Sequence, residues 1–454
     1  MLKTIIGVFL SFLFLNVSYA QSTDLLKERR QKLINSLAED EMALIISYPV
    51  KQRSLDINYE YHANPSIRYF TGIDEPGVIL VLQSKLLAQN SGLPEAMLFV
   101  RPENKQDAIW HGKRNEVKRS SEISGVETKV LAELKSRLSK IPTKKLSFEE
   151  PKSFGVHDPA TNNERRSVQS WISQNAIQVN DRIKKEIALI REVKDTFELA
   201  QMRKVIDISC KGHLELIRAS KNVLSEYEME AVIESAFRWE GAQRPAYPSI
   251  IGGAQNSCVL HYMANSENLK KGDMVVADVG AEYNGYAADI TRSFPVANSF
   301  SPEQTAIYNL VLKAQEAGIE ECKAGKSFRA PNDAARKVIS EGLKDLGLIS
   351  NFVESRKYFM HGTSHYLGLD VHDVGSYGDL KEGNIITVEP GIYIAEGSDC
   401  DPKWWNIGVR IEDDVLITNG APDVLSDCVP KSIEKIEAIM LEPSIFDSWK
   451  KLEK

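Results

Sequence analysis

The feature that most constrains the fold is an Asn-Gly pair, Asn284-Gly285, in the middle of the segment MVVADVGAEYNGYAADITRSF. Asn-Gly between two β-like runs is the strongest short-range signal for a hairpin with a two-residue turn. Such a turn pairs position 278 with position 291 and places Asp278 and Asp289 on one face as diagonal neighbours, roughly 7–8 Å apart. The alternative is a pair of solvent-facing charges, but Asp278 lies in an apolar run, where an unpaired charge is costly to bury. The hairpin therefore predicts two carboxylates that can reach a common ion.

Length and composition predict a soluble protein of two domains. The chain has 454 residues, of which 43% are hydrophobic and 26% charged, enough apolar side chains for sizeable cores. Short strand-like runs alternate with helical stretches over residues 21–185, which indicates an α/β domain, and residues 186–454 show well-marked helices separated by strands. The boundary lies where a long charged helical stretch, Arg182 to Ser220, begins. A net charge of -7 offers no basic face for nucleic acid, so we expect a small molecule or a peptide as the partner.

The first twenty residues are typical of a secretory signal peptide. Lys3 precedes an apolar run from Ile5 to Val17, and Ser18-Tyr19-Ala20 offers small residues at the cleavage positions. The alternative is an uncleaved anchor, but the run is shorter than the ~20 apolar residues that span a bilayer. We therefore expect an exported protein, periplasmic or secreted after cleavage near Ala20, without stable membrane insertion.

The five cysteines lie far apart and show no CxxC spacing, so neither a zinc knuckle nor a disulfide-dense scaffold is indicated. Their odd number leaves at least one without a partner in the chain. Cys400 and Cys428 are a possible pair in an oxidising compartment, which the sequence alone does not decide.

Histidine is scarce, yet four of the eight lie in two short stretches: His261 in NSCVLHY, and His361, His365 and His372 in FMHGTSHYLGLDVHD. Any one of them alone fits an ordinary core or surface histidine. Three within twelve residues, interrupted by glycines, indicate instead a backbone shaped to present imidazoles to a pocket.

Two glutamates lie inside otherwise apolar strand-like runs, Glu389 in IITVEPGIYI and Glu412 in IGVRIEDDVLI. Either alone fits a half-buried charge with a salt-bridge partner. Together with the two aspartates of the hairpin they form a set of four carboxylates, which balances the charge of two divalent cations. Hard oxygen donors in this proportion favour Mn²⁺, Co²⁺ or Mg²⁺-like ions over a thiolate-type zinc site.

The ordered set DVGAEYNGYAADITRSF, MHGTSHYLGLDVHDVG, TVEPGIY and VRIEDD resembles the metal-binding motifs of the pita-bread metallopeptidases, and among these it looks most like aminopeptidase P, the Xaa-Pro aminopeptidases. RYFTGIDEPGVILVL resembles the N-terminal domain of that family, and YPSIIGGAQNSCVLHY resembles its substrate-side loop. The resemblance covers nearly the whole mature chain. It implies an α/β N-terminal domain followed by an α+β pita-bread catalytic domain.

The resemblance also implies a role for each site residue. Asp278 and Asp289 would ligate one metal, Asp289 and Glu412 would bridge, and His365 with Glu389 would complete the second. A hydroxide between the two ions would attack the peptide bond, and Glu389 would handle its proton.

Further residues would act on the substrate by the same resemblance. His361 and His372 would hydrogen-bond the substrate and steady the tetrahedral intermediate, with His261 and Tyr247 nearby and Arg410 beside the bridging glutamate. Mn²⁺ is the favoured metal, with Co²⁺ or Zn²⁺ as alternatives. Members of the family often associate through the N-terminal domain, so we expect a homo-oligomer, a dimer or a tetramer.

The implied activity is release of the N-terminal residue from peptides with proline in second position. The nearest alternative is a prolidase, which cleaves only Xaa-Pro dipeptides and shares the five ligands. A binding protein without catalysis and the metal-free creatine hydrolases are more distant, because all five ligands are present. The sequence contains neither a GxSxG elbow nor an HExxH helix, which argues against other hydrolase classes.

Overall fold

The computed structural model describes residues 21–149, 159–222, 225–297 and 299–448. The signal peptide predicted for residues 1–20 lies outside these ranges. Within them, no helix combines the length and the apolar character that crossing a membrane requires.

The first part of the chain is built on one mixed sheet. The strands of this part are β1 (Glu41–Ile46), β2 (Gln52–Ser54), β3 (Ile57–Asn58), β4 (Val78–Gln83), β5 (Ala96–Val100), β6 (Glu127–Val130), β7 (Lys145–Glu149) and β8 (Gln178–Asn180). Its helices are α1 (Thr23–Ser36), α2 (Pro65–Thr71), α3 (Lys85–Ser91), α4 (Lys105–His111), α5 (Val117–Ser124), α6 (Leu134–Leu138) and α7 (Pro159–Gln174). Six strands form the sheet in the order β6-β5-β4-β1-β7-β8, and β2 and β3 form a separate hairpin.

The two central strands, β1 and β4, are buried on both faces, which explains why all of their residues except the terminal Glu41 and Gln83 are apolar. Alternate residues of β1 point to opposite faces: Ala43 and Ile45 belong to a core continuous with the second half of the chain, whereas Met42 and Leu44 pack in a separate cluster. The predicted α/β architecture is therefore present, and one face of the sheet is packed against the rest of the molecule.

The second part carries the remaining elements. Its helices are α8 (Arg182–Arg191), α9 (Thr196–Ala219), α10 (Glu226–Trp239), α11 (Pro302–Glu320), α12 (Ala330–Asp345) and α13 (Ile433–Met440). Its strands are β9 (Arg244–Pro245), β10 (Ile250–Gly253), β11 (Met274–Asp278), β12 (Ala281–Tyr283), β13 (Tyr286–Ala287), β14 (Thr291–Pro295), β15 (Ile385–Val388), β16 (Gly391–Ile394), β17 (Ile407–Arg410), β18 (Asp413–Leu416) and β19 (Asp423–Val424). Short 3-10 helices lie at Ala254–Cys258, Phe352–Lys357 and Pro402–Trp404, and one more lies in the first part at Leu131–Glu133. The strands pair in four small sheets, β10-β11-β14, β13-β12-β9, β15-β18-β19 and β16-β17.

The long helical stretch predicted from Arg182 to Ser220 is two helices, α8 and α9. The break has a local cause: Asp195 caps α9 in a reciprocal capping box with Glu198, which starts a new helix at that point. The domain boundary near residue 185 falls within α8 and stays a prediction.

The structure confirms the register of the Asn-Gly hairpin. β11 pairs with β14 so that Asp278 lies opposite Thr291. Asn284 and Gly285 have φ angles of 48° and 73°, the left-handed values that a two-residue turn of type I′ requires.

The hairpin is nevertheless bent, whereas the sequence suggests two continuous strands. The ladder is interrupted between β11 and β12 and again between β13 and β14. At the bend a Cβ added to Gly280 would lie 1.7 Å from the carbonyl oxygen of Ala288, so only glycine allows this approach. Asp278 and Asp289 flank the bend.

The disulfide corrects the suggested cysteine pairing. Cys428 is bonded to Cys210 of α9, with a Cα–Cα distance of 6.0 Å, and not to Cys400, which is free and half-buried. The pair is 218 residues apart in the chain, so only the packing of α9 against the segment that precedes α13 brings the two sulfurs together.

Candidate metal centre

The bend in the hairpin brings the two predicted aspartates together. The hydroxyl oxygen of Tyr247 lies 2.7 Å from Oδ1 of Asp278 and 2.5 Å from Oδ1 of Asp289. A single hydroxyl within hydrogen-bond distance of both carboxylates shows that they face one point, as the strand parity predicts.

Glu412 joins this pair through the strand that crosses the hairpin. Its backbone N–H donates to the carbonyl of Thr291 at 3.1 Å, and the Thr291 hydroxyl donates to Oε2 of Glu412 at 2.6 Å. A backbone hydrogen bond also places His365 beside β15: the Thr387 N–H donates to the His365 carbonyl at 3.0 Å.

His365 points at the carboxylates with a defined tautomer. Nδ1 lies 3.0 Å from the carbonyl oxygen of Tyr366, and a carbonyl only accepts, so Nδ1 carries the proton. The other ring nitrogen, Nε2, lies 3.3 Å from Oδ2 of Asp289 and 3.7 Å from Oε1 of Glu389. An imidazole oriented by a backbone carbonyl is the usual arrangement of a metal-binding histidine.

The donor set fits divalent metal ions. Asp289, His365 and Glu412 each offer one ligand atom, and these three atoms all lie within 4.8 Å of one another. Burial and then the neighbouring carboxylates raise the pKa of Asp289 and, more strongly, that of Glu412, while the same causes raise the pKa of Glu389 to about 7. Burial alone would lower the pKa of His365, but Asp289 and Glu389 raise it to about 9. The raised carboxyl pKa values have their cause in acidic groups that are buried close together, and a divalent cation would supply the counter-charge that these groups lack.

Arg410 contacts Asp278, one of the two carboxylates of the hairpin. Its Nη2 donates to Oδ2 of Asp278 at 2.6 Å and its Nη1 to the Tyr393 hydroxyl at 2.8 Å. The same hydroxyl lies 2.8 Å from Nε2 of His361, whose pKa is lowered to about 4 by burial and by the charge of Arg410. Arg410 was expected beside Glu412, and it reaches that residue through the Thr291 hydroxyl, to which its Nε donates at 3.3 Å.

A cavity of ≈ 310 Å³ opens over these groups. It is lined by Leu260, His261, Asp278, His361, Gly362, Ser364, His365, His372, Glu389 and Arg410. A second cavity of ≈ 190 Å³, which contains Tyr247, Met263 and Val371, shares His261, Asp278 and His372 with the first. All of the site residues selected from the sequence are thus gathered around the two cavities or, in the case of Glu412, directly behind them.

Tyr393 is a site residue that the sequence analysis missed. It joins Arg410 to His361, yet in the sequence it is one aromatic residue in the apolar run of β16. Its position four residues after Glu389 is the only local signal, and it gains meaning once Tyr393 is known to contact His361 and Arg410.

Two other buried carboxylates near the site have cationic partners. Asp413, adjacent to Glu412, accepts from Nη2 of Arg292 at 2.8 Å and from Nζ of Lys431 at 2.5 Å. Asp373, adjacent to His372, accepts from Nζ of Lys194 at 2.9 Å and from the guanidinium of Arg191. Although burial opposes the shift, these cations hold the pKa of both carboxyls below the usual range.

An α/β domain followed by small sheets around clustered carboxylates and one oriented imidazole defines a metal-dependent hydrolase of pita-bread fold. Comparison with known proteins supports this class directly. The model of "Metallopeptidase family M24" matches residues 200–419, and that of "Aminopeptidase P, N-terminal domain" matches residues 26–147.

Similar proteins match along nearly their whole lengths. The chain is 34% identical to the Xaa-Pro aminopeptidase of Haemophilus influenzae, covering 91% of this chain and 96% of that protein, and 33% identical to that of Escherichia coli, covering 91% and 97%. Among solved structures it is similar to aminopeptidase P from E. coli with the inhibitor Pro-Leu (TM-score 0.84, 32% identity, 92% of this chain and 98% of that chain) and to proline aminopeptidase P II from Yersinia pestis (TM-score 0.83, 32% identity, 92% and 99%). The chain belongs to the aminopeptidase P group of metallopeptidase family M24. It is a hydrolase that acts on peptide bonds, as the motifs predicted.

Proposed function

We propose that this enzyme releases the N-terminal residue from peptides with proline in second position, at a centre of two divalent metal ions. The observation that carries the metal centre is the convergence of Asp289, His365 and Glu412, whose ligand atoms lie within 4.8 Å of one another. The proline preference is supported by the relatives, which are named Xaa-Pro aminopeptidases.

Five residues would hold the ions: Asp278, Asp289, His365, Glu389 and Glu412. Their oxygen-rich donor set favours Mn²⁺, with Co²⁺ or Zn²⁺ as alternatives. When bound, two such ions would supply a nucleophile by lowering the pKa of water between them and would polarise the scissile carbonyl.

The remaining residues would bind the peptide and move its protons. The side chain of Glu389 is one-fifth exposed and lines the cavity, so it can take the proton of the attacking water and pass it to the leaving amine. His261, His361 and His372 line the same cavity and can hydrogen-bond the peptide backbone. Arg410 would hold Asp278 in the orientation that its ion requires.

The test is a comparison of three peptides with the mature protein loaded with Mn²⁺. We expect cleavage of an Xaa-Pro-Yaa tripeptide, with little or no cleavage of an Xaa-Pro dipeptide or an Xaa-Ala-Yaa tripeptide. Cleavage of the dipeptide alone would indicate a prolidase. No cleavage of any peptide with Mn²⁺, Co²⁺ or Zn²⁺ would overturn the proposed activity.

We also propose that the enzyme is exported, periplasmic or secreted, after cleavage near Ala20. The disulfide Cys210–Cys428 supports this location, because disulfides persist in oxidising compartments. The mass of the mature N-terminus and the thiol count of the isolated protein test it. An intact Met1 together with five free thiols would contradict it.

The proposed assembly is a dimer or a tetramer. Support comes from two adjacent, exposed apolar side chains on α4, Ile109 (78% exposed) and Trp110 (80%), since large apolar side chains on a surface often mark interfaces. Light scattering of the mature protein measures the assembly directly.

A further inference from the structure

One wall of the catalytic cavity is an irregular segment, residues 253–267. It starts at the end of β10, forms a 3-10 turn over Ala254–Cys258 and then continues without regular structure through His261. Leu260, His261 and Met263 line the cavities. Because a segment of this kind lacks a hydrogen-bonding ladder, other groups must satisfy its polar atoms and define its shape.

A single buried carboxylate meets this need. Glu226 is the first residue of α10, and its side chain is fully buried. Its Oε1 accepts hydrogen bonds from the Gly253 N–H and the Asn256 side-chain amide, and its Oε2 accepts from the Tyr262 hydroxyl and the Glu267 N–H, each at 2.9 Å. All four donors belong to the wall segment and lie on both sides of His261.

The chemistry of a carboxylate matches this set of donors. Among the described residues no Lys, Arg or His forms a salt bridge with Glu226, so its charge is stabilised by the four hydrogen bonds and by the N-terminus of α10. A glutamine has one acceptor oxygen and an NH₂ group. Its NH₂ would face a backbone N–H that can only donate, and at least one hydrogen bond would be lost.

The wall is also tied to the strand on its other side. The Ser257 hydroxyl accepts from the Gly408 N–H of β17 at 2.9 Å, and the Leu260 carbonyl accepts from Nη2 of Arg410 at 3.4 Å. Glu226 therefore holds one side of this segment, and β17 holds the other. His261 lies between Leu260, which accepts from Arg410, and Tyr262, which donates to Glu226.

We propose that Glu226 is a positioning residue for the peptidase reaction, which sets the wall so that His261 can contact the peptide. This role rests on the proposed function of the cavity. Glu226 itself touches neither the cavity nor the donor cluster, so its removal should leave metal binding intact.

The test is a double-mutant cycle with Glu226→Gln and His261→Ala, assayed on an Xaa-Pro-Yaa tripeptide with Mn²⁺. We expect Glu226→Gln to lower kcat/KM by about 10–100-fold, the usual effect of residues that orient functional groups, with normal Mn²⁺ content. In the His261→Ala background the same change should have little further effect, because the residue it positions is gone. Glu341→Gln, on the exposed face of α12, is the matched control and should behave as wild type.

Two outcomes would overturn the proposal. One is an unchanged kcat/KM in Glu226→Gln. The other is a double variant whose fold-loss of kcat/KM equals the product of the two single losses, because a general structural defect would act independently of His261. If Glu226→Gln does not fold, Tyr262→Phe removes one donor of the four and should give a smaller loss with the same dependence on His261. Hydrogen exchange of residues 254–267 gives a readout independent of activity, and faster exchange confined to this segment is expected in the variant. If the wild type cleaves no peptide, the proposed function fails, whereas unchanged exchange in Glu226→Gln overturns the positioning role by itself.

Discussion

Glu412 and Asp413 are adjacent buried carboxylates with opposite surroundings. Glu412 faces Asp289 and Glu389, and burial together with these like charges raises its pKa. Asp413 faces Arg292 and Lys431, and these cations hold its pKa well below the usual range despite burial. Successive residues of a strand point to opposite faces, so one step along the chain moves a side chain from the metal centre into a salt-bridge network.

This difference shows how one sequence motif, IEDD, serves two purposes. A buried carboxyl group among other carboxyl groups has no counter-charge from the protein, and a bound cation would supply one. A buried carboxylate among cations is satisfied by the protein itself and stabilises the frame around the site. Asp414 returns to the face of Glu412: its Oδ2 accepts from the Asp289 N–H at 3.2 Å, and burial with the charge of Asp289 raises its pKa.

The largest expected effect is that of Asp289→Asn. We expect loss of bound Mn²⁺ and a fall in kcat of several orders of magnitude, because the ions are expected to lower the pKa of water to about 7. Without metal, the variant should be at least as stable as wild type, since the change removes a buried charge that has like-charged neighbours. Metal analysis, peptide assays and melting with a chelator measure the three quantities. Asp273→Asn is the control, since this carboxylate accepts from the Lys270 N–H in the turn before β11. Normal metal content and rate in Asp289→Asn would refute the site.

The next largest effect is a loss of folding stability in Asp413→Asn. Asp413→Asn leaves Arg292, which is fully buried, short of its counter-charge, and removing one partner of a buried pair costs about 3–5 kcal/mol. Asp414→Asn keeps an acceptor for the Asp289 N–H and removes no salt bridge, so we expect a loss below about 1 kcal/mol. Urea unfolding of the full chain in the presence of a chelator compares the two. Equal losses would mean that the two faces of the strand do not differ as the surrounding charges imply.

The smallest expected effect is the pH dependence of the folding stability that Asp373 contributes. Arg191 and Lys194 lower the pKa of this carboxyl in the folded protein, although burial opposes the shift. The resulting stability is present above the unfolded pKa of about 3.9 and is lost as the pH falls through the lower folded value. Asp373→Asn should therefore be less stable than wild type near pH 7, and the gap should narrow below about pH 4 by at most about 1.4 kcal/mol per pH unit. Urea unfolding between pH 3 and pH 7 measures the gap, and a gap that does not change would contradict the assignment.

Much of the site could be predicted because its signals are local. The Asn284-Gly285 turn sets the register, and strand parity then puts Asp278 and Asp289 on one face. The order of the histidine and glutamate segments identified the family, which the similar proteins confirm. The same reasoning failed at the disulfide, where spacing along the chain carries no information on which helix Cys428 meets.

By itself the sequence determined the chemistry of this protein: an acidic, oxygen-rich donor set, the turn that joins two of its members, and the peptidase family. The tertiary structure alone decided which carboxylates gather without a counter-charge and which are paired with Arg292, Lys431, Arg191 or Lys194. It also decided that Tyr393 joins Arg410 to His361 and that Glu226 holds the wall of the cavity. The physical reason is that the state of a buried charge depends on the sign and distance of its neighbours in space, and several of these neighbours come from segments more than a hundred residues away in the chain.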